Sequence, residues 1–439
     1  MKKLISIGIL GFILFCLAAY YFLVDDELSE QTIYWLEQDR AAKDLTNNVF
    51  IHLMSLNEKT AANYQLSKQN YLEKVALSKV RFLDFEEMTR FPARVVEQDL
   101  LPENLNCLPS ADNCLEQLKN QREYIAEQLN NNITLVREFI NNSTQYDYQQ
   151  PDVHSSIGDF EHFHTVNYLA SLAIYFDILD GNLDRAEQTL FNYLYLLRQV
   201  SESSLDVGTS AVFIVAVEQL IQPLFEELVS SGHTFKSQSN HALYQIPVKE
   251  ITLQKIAVSE IAKMHRTLTE YIYSDGYVDP NFYNNPIAYI GFKPNKTLNS
   301  ISSYWQTVTL PDSIAKRDFL EARSNIQSIP IIGSENIWSA VLRNPTNFVG
   351  ELLVLISIPR YIDIGKNIAS VDLNLLLFKL LIASQNKPIG DLLADDKFVD
   401  PYTGNRPYLL DYKLCYPAWP NDSDASYDVE PVCMKAIYH

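Results

Sequence analysis

Glycine is scarce in this chain, 13 in 439 residues, and none sits in a loop of the kind that cradles phosphates with backbone N–H groups. A nucleotide site is therefore not expected. There is no Gly-x-Ser-x-Gly elbow either, so Ser204, Ser210 and the other serines carry no signal of a nucleophile. Cations are outnumbered, 35 Lys and Arg against 54 Asp and Glu, which gives a formal charge of -19. Such a surface repels phosphate backbones and anionic headgroups and disfavours nucleic-acid binding. Only five cysteines occur. Cys107 and Cys114 are too far apart for a zinc knuckle, which spaces its ligands two to four residues apart. No cofactor or metal is expected.

What the chain does have is one uncharged run, residues 4–24, preceded by Lys2 and Lys3 and followed by Asp25, Asp26, Glu27 and Glu30. At about 1.5 Å per residue, a helix of that length spans a hydrocarbon core of roughly 30 Å. The flanking charges place the N-terminus in the cytoplasm and residues 25–439 outside, with a formal charge of -21 once the two lysines are set aside. The small-residue pattern at Cys16-Leu17-Ala18 lies in the middle of the run, which favours an uncleaved signal anchor. The remaining cysteines form two local pairs, Cys107 with Cys114 and Cys415 with Cys433, as expected for disulfides in an oxidising compartment, although four cysteines permit three pairings.

Helical spacing dominates the exported part, which is 47% hydrophobic over the whole chain and long enough for substantial cores. Residues 28–88 contain neither proline nor glycine and read as one or two long helices. Ile125, Leu129, Ile133, Val136 and Ile140 form one stripe, and Asn141-Asn142-Ser143 reads as its break. Tyr168 to Leu179 and Leu183 to Leu197 form a helical hairpin around Asp180-Gly181-Asn182, similar to one solenoid unit, but no second copy repeats. Helices are also expected over 210–229, 251–274, 312–328, 334–343 and 371–383. Residues 275–311, with Pro280, Pro286, Pro294 and many aromatics, read as an ordered loop able to line a groove for a hydrophobic ligand.

Near the C-terminus, 400–404 carries acceptor, proline and glycine in the order a tight turn requires. Tyr408, Leu410, Tyr412 and Leu414 then alternate with Leu409, Asp411 and Lys413, the period of one strand, with a partner strand expected around 429–437. The run Asp400-Pro401-Tyr402-Thr403-Gly404-Asn405-Arg406-Pro407-Tyr408 resembles the Asp-Pro-aromatic turn of exported bacterial proteins. With Lys293-Pro294-Asn295-Lys296-Thr297-Leu298-Asn299 and Arg343-Asn344-Pro345, it is similar to a family of single-pass, largely helical envelope proteins of Gram-negative bacteria. That resemblance covers about 30 residues and implies topology and compartment, not an activity.

One dense cluster of possible ligands exists: Asp152, His154, Asp159, Glu161, His162 and His164. Glu161 and His164, three apart, would share a helix face, a spacing used by metal and acid-base sites. Acidic residues also favour helix starts for electrostatic reasons alone.

The expectation is thus a mainly α protein: an N-terminal transmembrane helix, a solenoid-like α-helical periplasmic domain and a small C-terminal β-hairpin element. Its parts are 1–24 as cytoplasmic tip and anchor, 25–99 as stalk or first helices, 100–345 as helical domain, and 346–439 as a helical region with a disulfide-closed hairpin. The expected setting is the bacterial inner membrane, with a structural or protein-interaction role and a protein partner in the envelope. The rivals are a hydrolase using the 152–164 cluster and a binder of small hydrophobic ligands.

Overall fold

A computed structural model describes residues 25–37, 53, 69, 72–73, 107–144, 160–202, 207–236, 242–266, 268, 292–327, 344, 346–348, 350–351, 354, 361–419 and 431–435. The expected span at 4–24, most of 28–88 and the helix at 334–343 lie outside these residues. The described residues are mostly helical, with a small three-stranded antiparallel sheet near the C-terminus. The chain divides into two compact units. Met1–Asp39, Ala257–Thr309 and Asn325–Tyr361 form the smaller; Arg40–Ile256, Leu310–Ser324 and Ile362–His439 form the larger.

Helix α1 (Glu30–Glu37) belongs to the smaller unit, described below. In the larger unit the Cys107–Cys114 disulfide is followed by α2 (Cys114–Asn120) and α3 (Arg122–Ser143). The five aliphatic residues of the α3 stripe are all at most 3% exposed, and each buried side chain of this kind contributes roughly 1.5–3 kcal/mol. Helix persists through Asn141-Asn142-Ser143 rather than breaking there. The Ser143 hydroxyl donates to the Ile140 carbonyl at 2.7 Å, so the last turn satisfies itself. Helices α4 (Phe160–Leu179) and α5 (Leu183–Glu202) form the expected hairpin against α3. Gly181 adopts φ +72°, and the Gly181 and Asn182 amides donate to the Ile178 and Asp177 carbonyls, a paired closure that favours glycine. Asp177, 1% exposed, accepts from Arg137 at 3.2 Å and Arg185 at 2.5 Å, which ties the hairpin to α3 by charge.

Helix α6 (Val207–Ala216) leads through a π turn at Val217–Ile221 into α7 (Gln222–Ser230). Pro223 has no N–H to give the preceding turn, and the wider turn accommodates that loss. Phe225 of α7 lies 5.0 Å from Phe235, which follows the helix, ring centre to ring centre. Short α8 (Val248–Ile251) is joined through Thr252 and Leu253, a buried leucine at φ +64°, to α9 (Gln254–Arg266), which runs into the smaller unit from Ala257.

In the smaller unit, α10 (Pro294–Val308) corrects the expected 275–311 loop over its C-terminal half. Proline at the first helical position opens a helix rather than breaking one, because its missing N–H would be unpaired there anyway. The segment after the expected span grips this helix. Asp25 accepts from the Asn295 and Lys296 amides at 2.9 and 3.3 Å, and Asn299 accepts from the Ser29 amide and the Thr32 hydroxyl. Asn347 accepts from the Lys293 amide at 2.7 Å and the Thr297 hydroxyl at 3.1 Å.

The larger unit resumes with α11 (Lys316–Gln327), α12 (Tyr361–Ser384) and α13 (Ile389–Leu393), the first two running past its edges by a few residues. Val207–Ser230 and Ile364–Ser384 are long and apolar enough to cross a membrane, with 50% and 67% of their most apolar windows buried inside the protein. The second carries Asp372, 2% exposed, whose carboxylate accepts from the Ile246 amide, Lys316 and Tyr402. That network is the anchorage of the 400–404 turn, in which the Gly404 amide donates to the Asp400 carbonyl and Gly404 takes φ +75°.

The sheet has the order β1 (Tyr408–Leu410), β2 (Lys413–Tyr416), β3 (Val432–Lys435). The single strand expected over 408–414 is two strands, because the chain reverses at Asp411 and Tyr412. Alternation in the sequence cannot distinguish one continuous strand from two that meet at a two-residue turn. Cys415 lies directly opposite Cys433 and is bonded to it, and the Cys433 carbonyl accepts from Gln222 of α7.

Candidate functional site

Asp152, His154 and Asp159 lie outside the described residues. Glu161, His162 and His164 fall in the first turns of α4, but their side chains are not among those described. The aromatic stretch 269–291 is also outside them.

Three other places gather chemistry. At the first, Asp184, Glu187 and His233 bring ligand atoms within 4.8 Å of one another. His233 Nε2 lies 2.6 Å from Glu187, whose other oxygen accepts from the Lys236 amide at 3.0 Å. Lys236 Nζ is 2.6 Å from Asp184, and this hydrogen bond holds the exposed Asp184 carboxyl below its usual range. Lysine thus supplies the cation a metal would, and the cluster fastens the segment after α7 to the start of α5.

The second is a cavity of about 270 Å³ within the larger unit, lined by Ser201, Glu202, Ser210, Lys249, Glu250, Leu253, Lys255, Ile256 and Asp312. Glu250 is 9% exposed and receives one hydrogen bond, from the Ser201 hydroxyl to Oε2 at 3.2 Å, while Oε1 is buried without a partner. Burial pushes its carboxyl up to about 7, against the opposing pull of Arg198. Arg198, fully buried, is engaged elsewhere: it donates to the Tyr244 carbonyl at 2.7 Å, lies 3.8 Å from the Tyr244 ring centre and pairs with Glu202 at 3.7 Å. Glu202 also accepts from the Tyr244 hydroxyl. Leu253, at positive φ, joins Lys249 and Glu250 to Lys255 and Ile256, and all five residues line the cavity. A buried leucine in that conformation is strained by about 1–2 kcal/mol, and such strain concentrates at functional sites.

The third is the β1–β2 turn. Asp411 and Tyr412 have φ +46° and +62°; Tyr412 is 81% exposed, and Leu409 and Leu410, on opposite faces of β1, are 41% and 45% exposed. Two-residue turns with both φ positive favour Asn-Gly, not Asp-Tyr. Lys413 stands directly opposite Lys435, a like-charge pair that destabilises a bare sheet.

Comparison with protein-family models, with curated proteins and with solved structures finds no match for this chain.

Sequence reasoning missed the cavity, because its residues scatter from Ser201 to Asp312 with no spacing rule that joins them. The turn had one legible sign, the charged residues Asp411 and Lys413 in an otherwise apolar and aromatic alternation.

Proposed function

We propose that this is a membrane-anchored envelope protein that works by docking another protein, with residues 4–24 as an uncleaved anchor in the inner membrane and a solenoid-like helical body in the periplasm. Two bonded cysteine pairs support an oxidising compartment for that body. The observation that carries the reading is the β1–β2 turn. It holds a tyrosine in a backbone conformation costing about 1–2 kcal/mol and exposes Tyr412 at the turn, next to the strand face on which Leu410 stands with Lys413 and Lys435. The adjacent Lys413 and Lys435, set in a chain of formal charge -19, select a partner surface that is apolar and flanked by carboxylates.

A photoreactive aromatic residue in place of Tyr412, in native membranes, tests this. The reading expects a discrete cross-linked protein that is absent when the same group replaces the exposed Lys387 on the same unit. The adduct should disappear with Leu410→Asp and weaken several-fold with Lys413→Glu. Equal labelling from both positions, or an adduct indifferent to both substitutions, would sink the proposal.

A further inference from the structure

The Glu250 cavity is independent of the β1–β2 turn, and its chemistry is that of a small-molecule site. Its floor holds an unpartnered carboxyl oxygen beside the Ser201 hydroxyl, with Leu253 and Ile256, 2% and 4% exposed, as the apolar wall. Its rim holds Lys249, Lys255 and the exposed Asp312; burial of the Lys255 ammonium holds it below its usual range. Lys255 donates one hydrogen bond, to the Glu202 carbonyl at 2.9 Å, and an ammonium has three to give. Asp312 Oδ1 accepts from the Thr252 hydroxyl, and Glu250 Oε1 is the buried acceptor without a partner.

A bare metal cation fits poorly, since two lysines line the cavity beside Glu250. A bare anion fits poorly too, since Glu250 and Glu202 lie beneath. A molecule with a positive end and a negative end satisfies both levels. We infer that this cavity binds a free α-amino acid, its ammonium donating to Glu250 Oε1 and its carboxylate held between Lys249 and Lys255. About 270 Å³ lies just below the range of drug-sized ligand pockets, which suits a molecule as small as an amino acid.

The Glu250 carboxyl faces Arg198 and Glu202 from α5, Lys249 from α8, Lys255 from α9 and Asp312 from the segment before α11. An incoming ammonium adds a positive charge and draws it to the ionised form, so affinity rises with pH through neutrality.

The test uses the purified full chain in detergent, with the twenty proteinogenic α-amino acids followed by thermal shift and calorimetry at pH 6 and pH 8. At least one should bind, more tightly at pH 8. N-acetylation and C-terminal amidation of that same compound should each weaken binding at least tenfold. Glu250→Gln and the pair Lys249→Met with Lys255→Met should do likewise, with far-UV circular dichroism unchanged. The analogue series on the unaltered protein decides the matter if a variant misfolds. No binding by any amino acid at millimolar concentration, equal binding of the N-acetylated form, or retained affinity in a folded Glu250→Gln protein would overturn the inference.

Discussion

Removing the Asp372 carboxylate should unfasten the 400–404 turn from the core. Asp372 accepts from the Ile246 amide at 2.7 Å, from Lys316 Nζ at 2.6 Å and from the Tyr402 hydroxyl at 2.9 Å. Tyr402 is 2% exposed, and burial followed by the Asp372 charge pushes its hydroxyl well above the usual range, so it serves as a donor throughout the accessible pH span. Asp372→Ala leaves the Lys316 ammonium, its side chain 15% exposed, without its carboxylate. Breaking a buried pair from one side costs about 3–5 kcal/mol. At about 2–4 °C per kcal/mol for a large domain, the melting temperature should fall by about 6–20 °C. Asp372→Leu combined with Lys316→Met removes both charges and should recover at least half of that loss. Denaturant and thermal unfolding of the full chain in detergent, followed by circular dichroism, measure both quantities. A loss below about 1 kcal/mol for Asp372→Ala, or single effects that add to within about 0.5 kcal/mol in the double variant, would refute the charge network as the fastening.

Four further outcomes follow from named contacts. Gly350→Ala drives a Cβ into the Thr297 hydroxyl and the Asn347 side-chain amide; overpacking of that kind costs about 1–3 kcal/mol, read as faster proteolysis of the smaller unit. Tyr412→Gly relieves a left-handed tyrosine and should stabilise by about 0.5–1 kcal/mol after the entropy of the added glycine, while abolishing the cross-link expected of the docking turn; a clear destabilisation would mean that Tyr412 is held by packing. Because the Glu250 carboxyl is raised from 4.5 to about 7 in the folded protein, the folded state keeps a proton the unfolded state has lost. Stability should decline by on the order of 3 kcal/mol as pH rises from 4.5 to 7, and Glu250→Gln should flatten that slope. Replacing Cys415 and Cys433 together by serine opens a closure of 18 residues and should lower stability by about 3 kcal/mol in the chain-entropy model, a loss that reduction of the unaltered protein should reproduce in part.

Periodicity and capping chemistry decided much of this fold from the sequence. The α3 stripe, the α4–α5 hairpin with Gly181 at its closure and the 400–404 turn are local, since each depends on residues within a few positions of one another. Local rules also erred where two structures share one pattern. Pro294 reads equally as a breaker or as a first helical residue, and the alternation over 408–414 fits one strand or two. Only the tertiary structure brought Lys293 to Asn299 together with Asn344 to Glu351 and the Asp25 to Thr32 segment, through Asn347 and Asn299. Only it placed Asp372 under Tyr402 and left Glu250 Oε1 open at the bottom of a cavity. The physical reason is the same in each case. A hydrogen bond between residues 30 to 270 positions apart has no period in the sequence, and a buried carboxylate looks no different there from a solvated one.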